Sequence, residues 1–318
     1  MKPAYEADFR SKEDSVKFIL HSVSYSAAWE GQIALSLEKV IAKGANLGYD
    51  GIEIIGKRPH ASVLDLSESD RKRIRDSLAS KGLVLPCIAG YQDFSDDYLH
   101  PDMPKGEKDL LFLRESVRLT RDLGAKILRI YSCFIPPDIP RSSLWRQCVK
   151  YLKEGVKYAE DAGIILALQN HSELTLHHLD VLRMIEEVNS PNLRIALDPP
   201  YIYMAEASYE KAVEDCQKYI VYSTASDFIR IPNPVNTRVP GFLHYSIGYF
   251  ILYEKKTVPL GKGEVDYPTF FSALKKIGYD DYLAYEICSP IIGGGSEENL
   301  DRCAKESLLY MKETWNKA

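Results

Sequence analysis

Short apolar runs rich in β-branched residues alternate with longer amphipathic stretches along the whole chain, and this alternation is the strongest constraint on its fold. The strand-like runs are KFILHSV, DGIEII, LVLPCIA, AKILRIY, IILALQ, LRIALD, YIVYSTA and YLAYEI. Between them lie helical patterns such as IALSLEKVIAKGANLG, DRKRIRDSLASKG, KDLLFLRESVRLTRDLG, WRQCVKYLKEGVKYAEDAG and TFFSALKKIGYD, several closing on a glycine where a helix C-cap is expected. Each strand is continuously apolar, as a parallel strand covered on both faces is. Eight such units in 318 residues, joined by right-handed crossovers, predict a closed (β/α)8 TIM barrel of the α/β class. A doubly wound open sheet is the alternative, but no strand leads into a GxGxxG turn.

No linker rich in Pro, Gly or Ser divides the chain, which reads as a single domain over residues 1–318. One spacing is irregular. The seventh strand and the next helix are separated by the stretch from Asp227 to Asp266, which includes RIPNPVNTRVPGFLHYSIGYFILYEKK. Loops of this length are uncommon without a function, and loops that follow strands lie at the catalytic face of such a barrel. A long loop at about 227–265 is therefore expected over that face as a lid or substrate-binding element, with an ordinary surface insertion as the alternative.

Composition narrows the function. A net charge of −5 and a pI near 5.9 leave no electrostatic footprint for nucleic acid or an anionic membrane. The N-terminal MKPAYEADFRSKEDS lacks the basic start and apolar core of a signal peptide, and no apolar run approaches membrane-spanning length. The six cysteines are scattered without a CxxC pair and read as reduced, mostly buried thiols of a cytoplasmic protein.

In a barrel the chemistry sits at the C-terminal strand ends. Here these carry His21, Glu53, the Arg129 to Ser132 region, Gln169 with His171, Asp198, Thr224 with Asp227, and Glu286, all expected to converge. Asp198 and Glu286 end runs too apolar to leave a charge unpaired. Two facing buried carboxylates suit a hard divalent cation, to which Gln169 can add a carbonyl oxygen. The alternative is a carboxylate pair bridged by an arginine such as Arg129 or Arg230.

The segments LGYDGIEI, LGAKILRIYS, LALQNH, LRIALD and VPLGKGEVDYPTFFSALKKIGYDDYLAYEI, in this order, resemble the sugar phosphate isomerase/epimerase family, the xylose-isomerase-like TIM barrels. The resemblance implies a divalent metal, Mn or Mg with Zn as a further option, held by Glu, Asp, His and Glu on strands 5 to 8. Asp198 and Glu286 match that pattern. Gln169 stands where a Glu is usual, and Thr224, Ala225, Ser226 and Asp227 replace an HLKD-like end, leaving the fourth ligand to Thr224, His244 or water. Tyr201 replaces a histidine that often follows the strand-6 Asp.

In family epimerases two glutamates exchange a proton through an enediolate, and an amide cannot take that proton. His171, two residues beyond its strand end and titrating near neutrality, is the expected replacement base. His244 is a second candidate. The resemblance also covers dehydratases and C-glycoside deglycosidase-like enzymes that need one base and one acid.

The glycine-rich SPIIGGGSEENLD could cradle an anion, but Glu297 and Glu298 would repel it, so a neutral sugar or polyol is expected. Tyr25, Trp29, Tyr91, Phe94, Tyr131, Phe134, Tyr201 and Tyr203 are candidates to pack on a sugar ring. Arg230, Arg238 and Lys262 are candidate anchors for its oxygens. The expectation is a cytoplasmic isomerase or epimerase acting on a sugar, polyol or keto-sugar by proton abstraction beside a carbonyl. His171 and Glu286 would be catalytic, Gln169, Asp198 and Glu286 would hold metal, and His21, Glu53, Tyr131, Tyr201, Arg230 and His244 would bind substrate. A lyase on the same scaffold and a non-catalytic sugar-binding or accessory subunit are the alternatives, with homo-oligomerisation left open. An endonuclease IV-like enzyme is disfavoured by the acidic balance and the lack of a histidine-rich zinc set.

Overall fold

The computed structural model describes residues 16–95, 105–136, 139–171, 173–232 and 253–318. Eight parallel strands close into a barrel: β1 (Lys17–His21), β2 (Gly51–Ile55), β3 (Cys87–Ala89), β4 (Ile127–Ile130), β5 (Ile165–Gln169), β6 (Leu193–Leu197), β7 (Ile220–Ala225) and β10 (Tyr282–Tyr285). Each of the eight expected runs supplies one of them, and β10 returns to pair with β1. The helices between them are α1 (Leu37–Leu47), α2 (Glu68–Ser80), α3 (Lys105–Asp122), α4 (Arg141–Ala162), α5 (His178–Val188), α6 (Pro199–Met204), α7 (Tyr209–Cys216) and α8 (Tyr267–Lys276), with α9 (Glu297–Lys317) closing the chain. Ser36, Ser67, Ser208 and Ser296 cap the helices they precede, and Gly48 and Gly163 end α1 and α4 in the left-handed conformation. No helix among the described residues is long and apolar enough to cross a membrane.

Two apolar layers follow from the two-residue period of the strands. Outward side chains such as Leu20, Ile52, Leu128, Leu166 and Ile195 pack under Val40, Ile41, Leu113, Leu152 and Met184 of the helices. Inward residues form a separate cluster of Ile19, Cys87, Ile127, Ile165, Ala167, Ala196, Val221, Tyr222 and Ala284. The inward face of such a barrel is ordinarily filled by bulky branched side chains. The alanines in this cluster leave room, and Arg129 lies in register with Ala89 on one side and Ala167 on the other.

The stretch expected to be a loop is partly strand. β8 (Asp227–Pro232) and β9 (Tyr253–Val258) form an antiparallel ribbon outside the barrel. Residues 233–252, with His244 and Arg238, lie outside the described part of the chain. The ribbon is anchored by Asp227, whose buried carboxylate accepts from the backbone N–H groups of Phe228, Gly261, Gly263 and Val265. A Cβ on Gly263 would overlap Asp227 Oδ1 and the Phe228 carbonyl oxygen. Gly263→Ala is therefore expected to cost about 2 kcal/mol or more in urea unfolding, against little change for Lys262→Ala on the exposed side.

The glycine-rich turn after β10 has a packing role. Gly295 sits against the backbone of Gly31 and Gln32, its carbonyl accepts from Ile33 N–H, and Lys43 pairs with Glu297 and Asp301.

Candidate active site

Arg129 is the longest inward side chain of β4, and it is 2% exposed. Its Nε donates to Glu53 Oε1 at 2.7 Å, Nη1 to Tyr131 OH at 3.2 Å and to the Gln169 carbonyl oxygen, and Nη2 to His21 Nε2 at 2.7 Å. Nη2 also lies 3.6 Å from Glu286 Oε2. The guanidinium thus gathers side chains from β1, β2, β5 and the end of β10. Tyr222 OH closes the far side of Glu53 at 3.1 Å.

A guanidinium only donates, so it assigns its neighbours. Gln169 must turn its carbonyl to Arg129, which leaves its NH2 to donate to Asp198 Oδ2 at 2.6 Å and Thr224 Oγ1 at 3.5 Å. His21 must accept at Nε2 and is neutral, its pKa lowered to about 3 chiefly by burial. Glu286 accepts from the Cys288 thiol at 3.0 Å and lies 3.5 Å from His21.

Asn170 explains the second residue of the QNH triplet. Its side chain donates to the Asp198 carbonyl at 3.0 Å and accepts from Asp198 N–H at 2.7 Å, so the ends of β5 and β6 are clamped together. Asp198 then opens α6, followed by Pro199 and Pro200 in its first turn. Its Oδ1 is buried and has no hydrogen-bond partner among the described residues. Burial first, and Glu286 second, push the Asp198 pKa up to about 7.

His171 does not titrate near neutrality. Burial, then Arg129 and Lys255, lower its pKa to about 3. Its Nε2 is 2.8 Å from Tyr201 OH, while Nδ1 is buried and unpartnered. The group poised near pH 7 is Asp198 instead. The neutral imidazoles also set a pH dependence of stability. A folded-state pKa below the ordinary 6.5 gives stability that is present above 6.5 and lost as pH falls toward 3, and His21 and His171 both act this way. Asp198 acts oppositely, stabilising below its ordinary 3.8 and losing that contribution as pH rises through about 7. The buried imidazoles, His60 and His178 among them, act in one direction and Asp198 with Asp227 in the other, and with the imidazoles in the majority urea stability should fall from pH 7 to 4. His171→Phe should make that fall smaller.

Tyr91, Tyr131, His171 and Tyr201 form an arc of rings with centroid separations of 6.1, 4.5 and 4.4 Å. Lys57 Nζ lies 3.7 Å from the Tyr91 ring centre, and Lys255 Nζ lies 5.8 Å from that of Tyr201. Of the other aromatic candidates, Tyr25 and Phe94 are core residues, and Trp29 donates to the Ile287 carbonyl. Arg230 is not among the groups around Arg129. It pairs with Glu264 at 2.7 Å and donates to Tyr203 OH at 2.6 Å on the ribbon. Lys262 pairs with Glu306.

Sequence reasoning missed Tyr222, Asn170, Cys288, Lys57 and Lys255. Tyr222 and Thr224 share the two-residue inward period of β7, a signal available beforehand. Lys255 carried none, because it arrives on a ribbon outside the barrel.

The divalent metal implied by the resemblance would need several convergent oxygen or nitrogen donors. Gln169 turns its NH2 rather than its oxygen toward Asp198, and a fixed guanidinium stands among the remaining donors. Among the described residues, no three His, Cys, Asp or Glu side chains gather to hold an ion. Asp198 Oδ1 is a single open acceptor. The donor set does not fit a divalent metal.

Residues 41–314 match the family model of the xylose isomerase-like TIM barrel. The chain is 26% identical over 286 residues to the L-ribulose 3-epimerase of Mesorhizobium japonicum, covering 87% of this chain and 84% of that protein. It is 25% identical over 271 residues to the ketose 3-epimerase of Arthrobacter globiformis, with 82% and 81% covered. The solved structure of D-psicose 3-epimerase with D-tagatose from Clostridium cellulolyticum superposes with a TM-score of 0.71 at 17% identity, over 94% of this chain and 99% of that one. At that identity it shows the shared fold.

Proposed function

The chain belongs to the xylose isomerase-like TIM barrel family, and we propose that it is a sugar isomerase or epimerase in which Asp198 and Glu286 move protons beside a ketose carbonyl. The names of its relatives, L-ribulose 3-epimerase and ketose 3-epimerase, support the substrate class. The observation that carries the chemistry is Asp198, a buried carboxylate with one free oxygen and a pKa raised to about 7. A base is most effective when its pKa lies near the working pH.

In this reading Asp198 Oδ1, when ionised, takes the proton from the carbon next to the carbonyl and, as the acid so formed, returns it to the enediolate, while the Glu286 carboxylate takes up and gives back the proton of a substrate hydroxyl. The enediolate forms close to the guanidinium, whose charge opposes the negative charge that develops. In the tautomer in which His171 Nε2 accepts from Tyr201 OH, the imidazole carries its proton on Nδ1 and donates it to a substrate oxygen. Tyr131 OH accepts from Arg129, which leaves its own proton for another substrate oxygen. The ring arc packs against the apolar face of the sugar. Metal dependence enters only through the resemblance, and the donors at 169, 198 and 286 do not support it.

The test is a panel of ketopentoses and ketohexoses incubated in deuterated water. Deuterium entering at the carbon beside the carbonyl, together with an epimer or aldose product, is the expected result. Loss of water instead would identify the lyase alternative. No exchange with any ketose would overturn the assignment.

A further inference from the structure

We propose that Arg129 is the resident cation of this barrel, taking the place of a divalent metal, so that the protein neither binds nor needs one. The inference rests on the sugar-isomerase reading only for its activity arm.

Three independent features converge on it. The first is placement: donors of one guanidinium reach Glu53, Gln169 and His21, and Nη2 lies at ion-pair distance from Glu286. A dication on the same Glu286 oxygen would face this permanent charge at close range in a site with little water to screen it.

The second is the identity of residue 169. It lies between a donor-only cation and a carboxylate, and an amide satisfies both at once, with its oxygen on Arg129 and its NH2 on Asp198. A glutamate would pair with Arg129 but set a second negative charge against Asp198. Gln169 is thus the coupling that an arginine-centred site requires, rather than a metal ligand that has been lost.

The third is room. Ala89 and Ala167 flank Arg129 in register, and Ala196 and Ala284 share the inward layer. Bulkier residues in these places would exclude the side chain.

Arg129 is a positioning residue. It holds Gln169 in place, faces Glu286 at ion-pair distance and supplies fixed positive charge.

The experiment measures metal content and Mn binding on the full chain purified without chelator. The expected result is well under one equivalent of Mn, Zn, Co or Ni after dialysis, no saturable Mn binding by calorimetry below ~1 mM, and deuterium exchange unaffected by chelator. Gln169→Glu alone should likewise show no saturable Mn binding below ~1 mM, because the guanidinium remains. Arg129→Met combined with Gln169→Glu should bring saturable Mn binding into the range of ~10–100 μM, a gain of the size by which neighbouring groups tune metal sites.

A parent protein holding close to one equivalent of metal would overturn the proposal. So would tight Mn binding by Gln169→Glu alone. Both are measured on variants that keep Arg129 and its contacts, so the proposal stays testable even if the double variant does not fold. A metal-free parent with no exchange on any ketose would refute the proposed reaction and leave the resident cation supported.

Discussion

Replacing Arg129 with methionine is expected to lower the unfolding free energy by about 3–5 kcal/mol. Glu53 is fully buried and, among the described residues, its charged partner is Arg129, with Tyr222 OH on its other oxygen. Methionine fills similar volume but leaves that carboxylate in a dry interior without a counter-charge. It also strips the donor from the Gln169 carbonyl and the His21 imidazole. Removing one member of a buried pair costs more than removing both. Glu53→Gln in the Arg129→Met background should therefore recover a large part of the loss. Urea unfolding of the parent, both single variants and the double variant measures this cycle. A loss below about 1 kcal/mol for Arg129→Met, or no coupling with position 53, would show that the guanidinium is not the organising charge of the interior.

Asp198→Asn is expected to lower kcat for deuterium exchange by about 10²–10⁴-fold, the range attributed to a positioned acid or base. The amide keeps the shape and the Asn170 backbone clamp, since that clamp uses only the Asp198 main chain. Stability should therefore change little or rise at neutral pH, where an ionised carboxylate is costly in that position. The pH profile separates a chemical role from a structural one. With the carboxylate raised to about 7, the ionised base accumulates as pH increases, so the parent rate should climb through pH 7. Asp198→Asn should show no such climb. An unchanged profile in the variant would move the proton transfer elsewhere.

Much of the architecture was readable from local pattern. Continuous apolar strands and glycine-terminated helices gave the closed barrel, because a parallel strand covered on both faces reads as a near-continuous apolar run. The convergence of the strand-end side chains of His21, Glu53, Gln169, Asp198 and Glu286 followed as well, since C-terminal strand ends converge in any such barrel, whereas Arg230 does not join them. The ribbon of β8 and β9 was read as loop. Its polar YEKKTV segment pairs with β8 and, through Thr257, bridges to Ile291, and it is partly exposed, so it lacks the apolar signature used to find strands.

The roles were less legible than the positions. His171 looks like a neutral-pH base from its ordinary pKa, yet desolvation and two neighbouring cations hold it neutral. Asp198 looks like an ordinary carboxylate, yet burial beside Glu286 brings it to the working range. Both shifts come from burial and from charges distant in sequence, which no local motif records.

The sequence by itself determined a (β/α)8 barrel and the set of polar residues that meet at its mouth, because strand periodicity decides which side chains face inward. Only the tertiary structure decided what charge stands among them. Arg129 lies 76 residues from Glu53 and 40 from Gln169 in the chain, and closure of the barrel brings the three into hydrogen-bond contact. That contact orients the Gln169 amide, and through it leaves Asp198 with one free oxygen for chemistry.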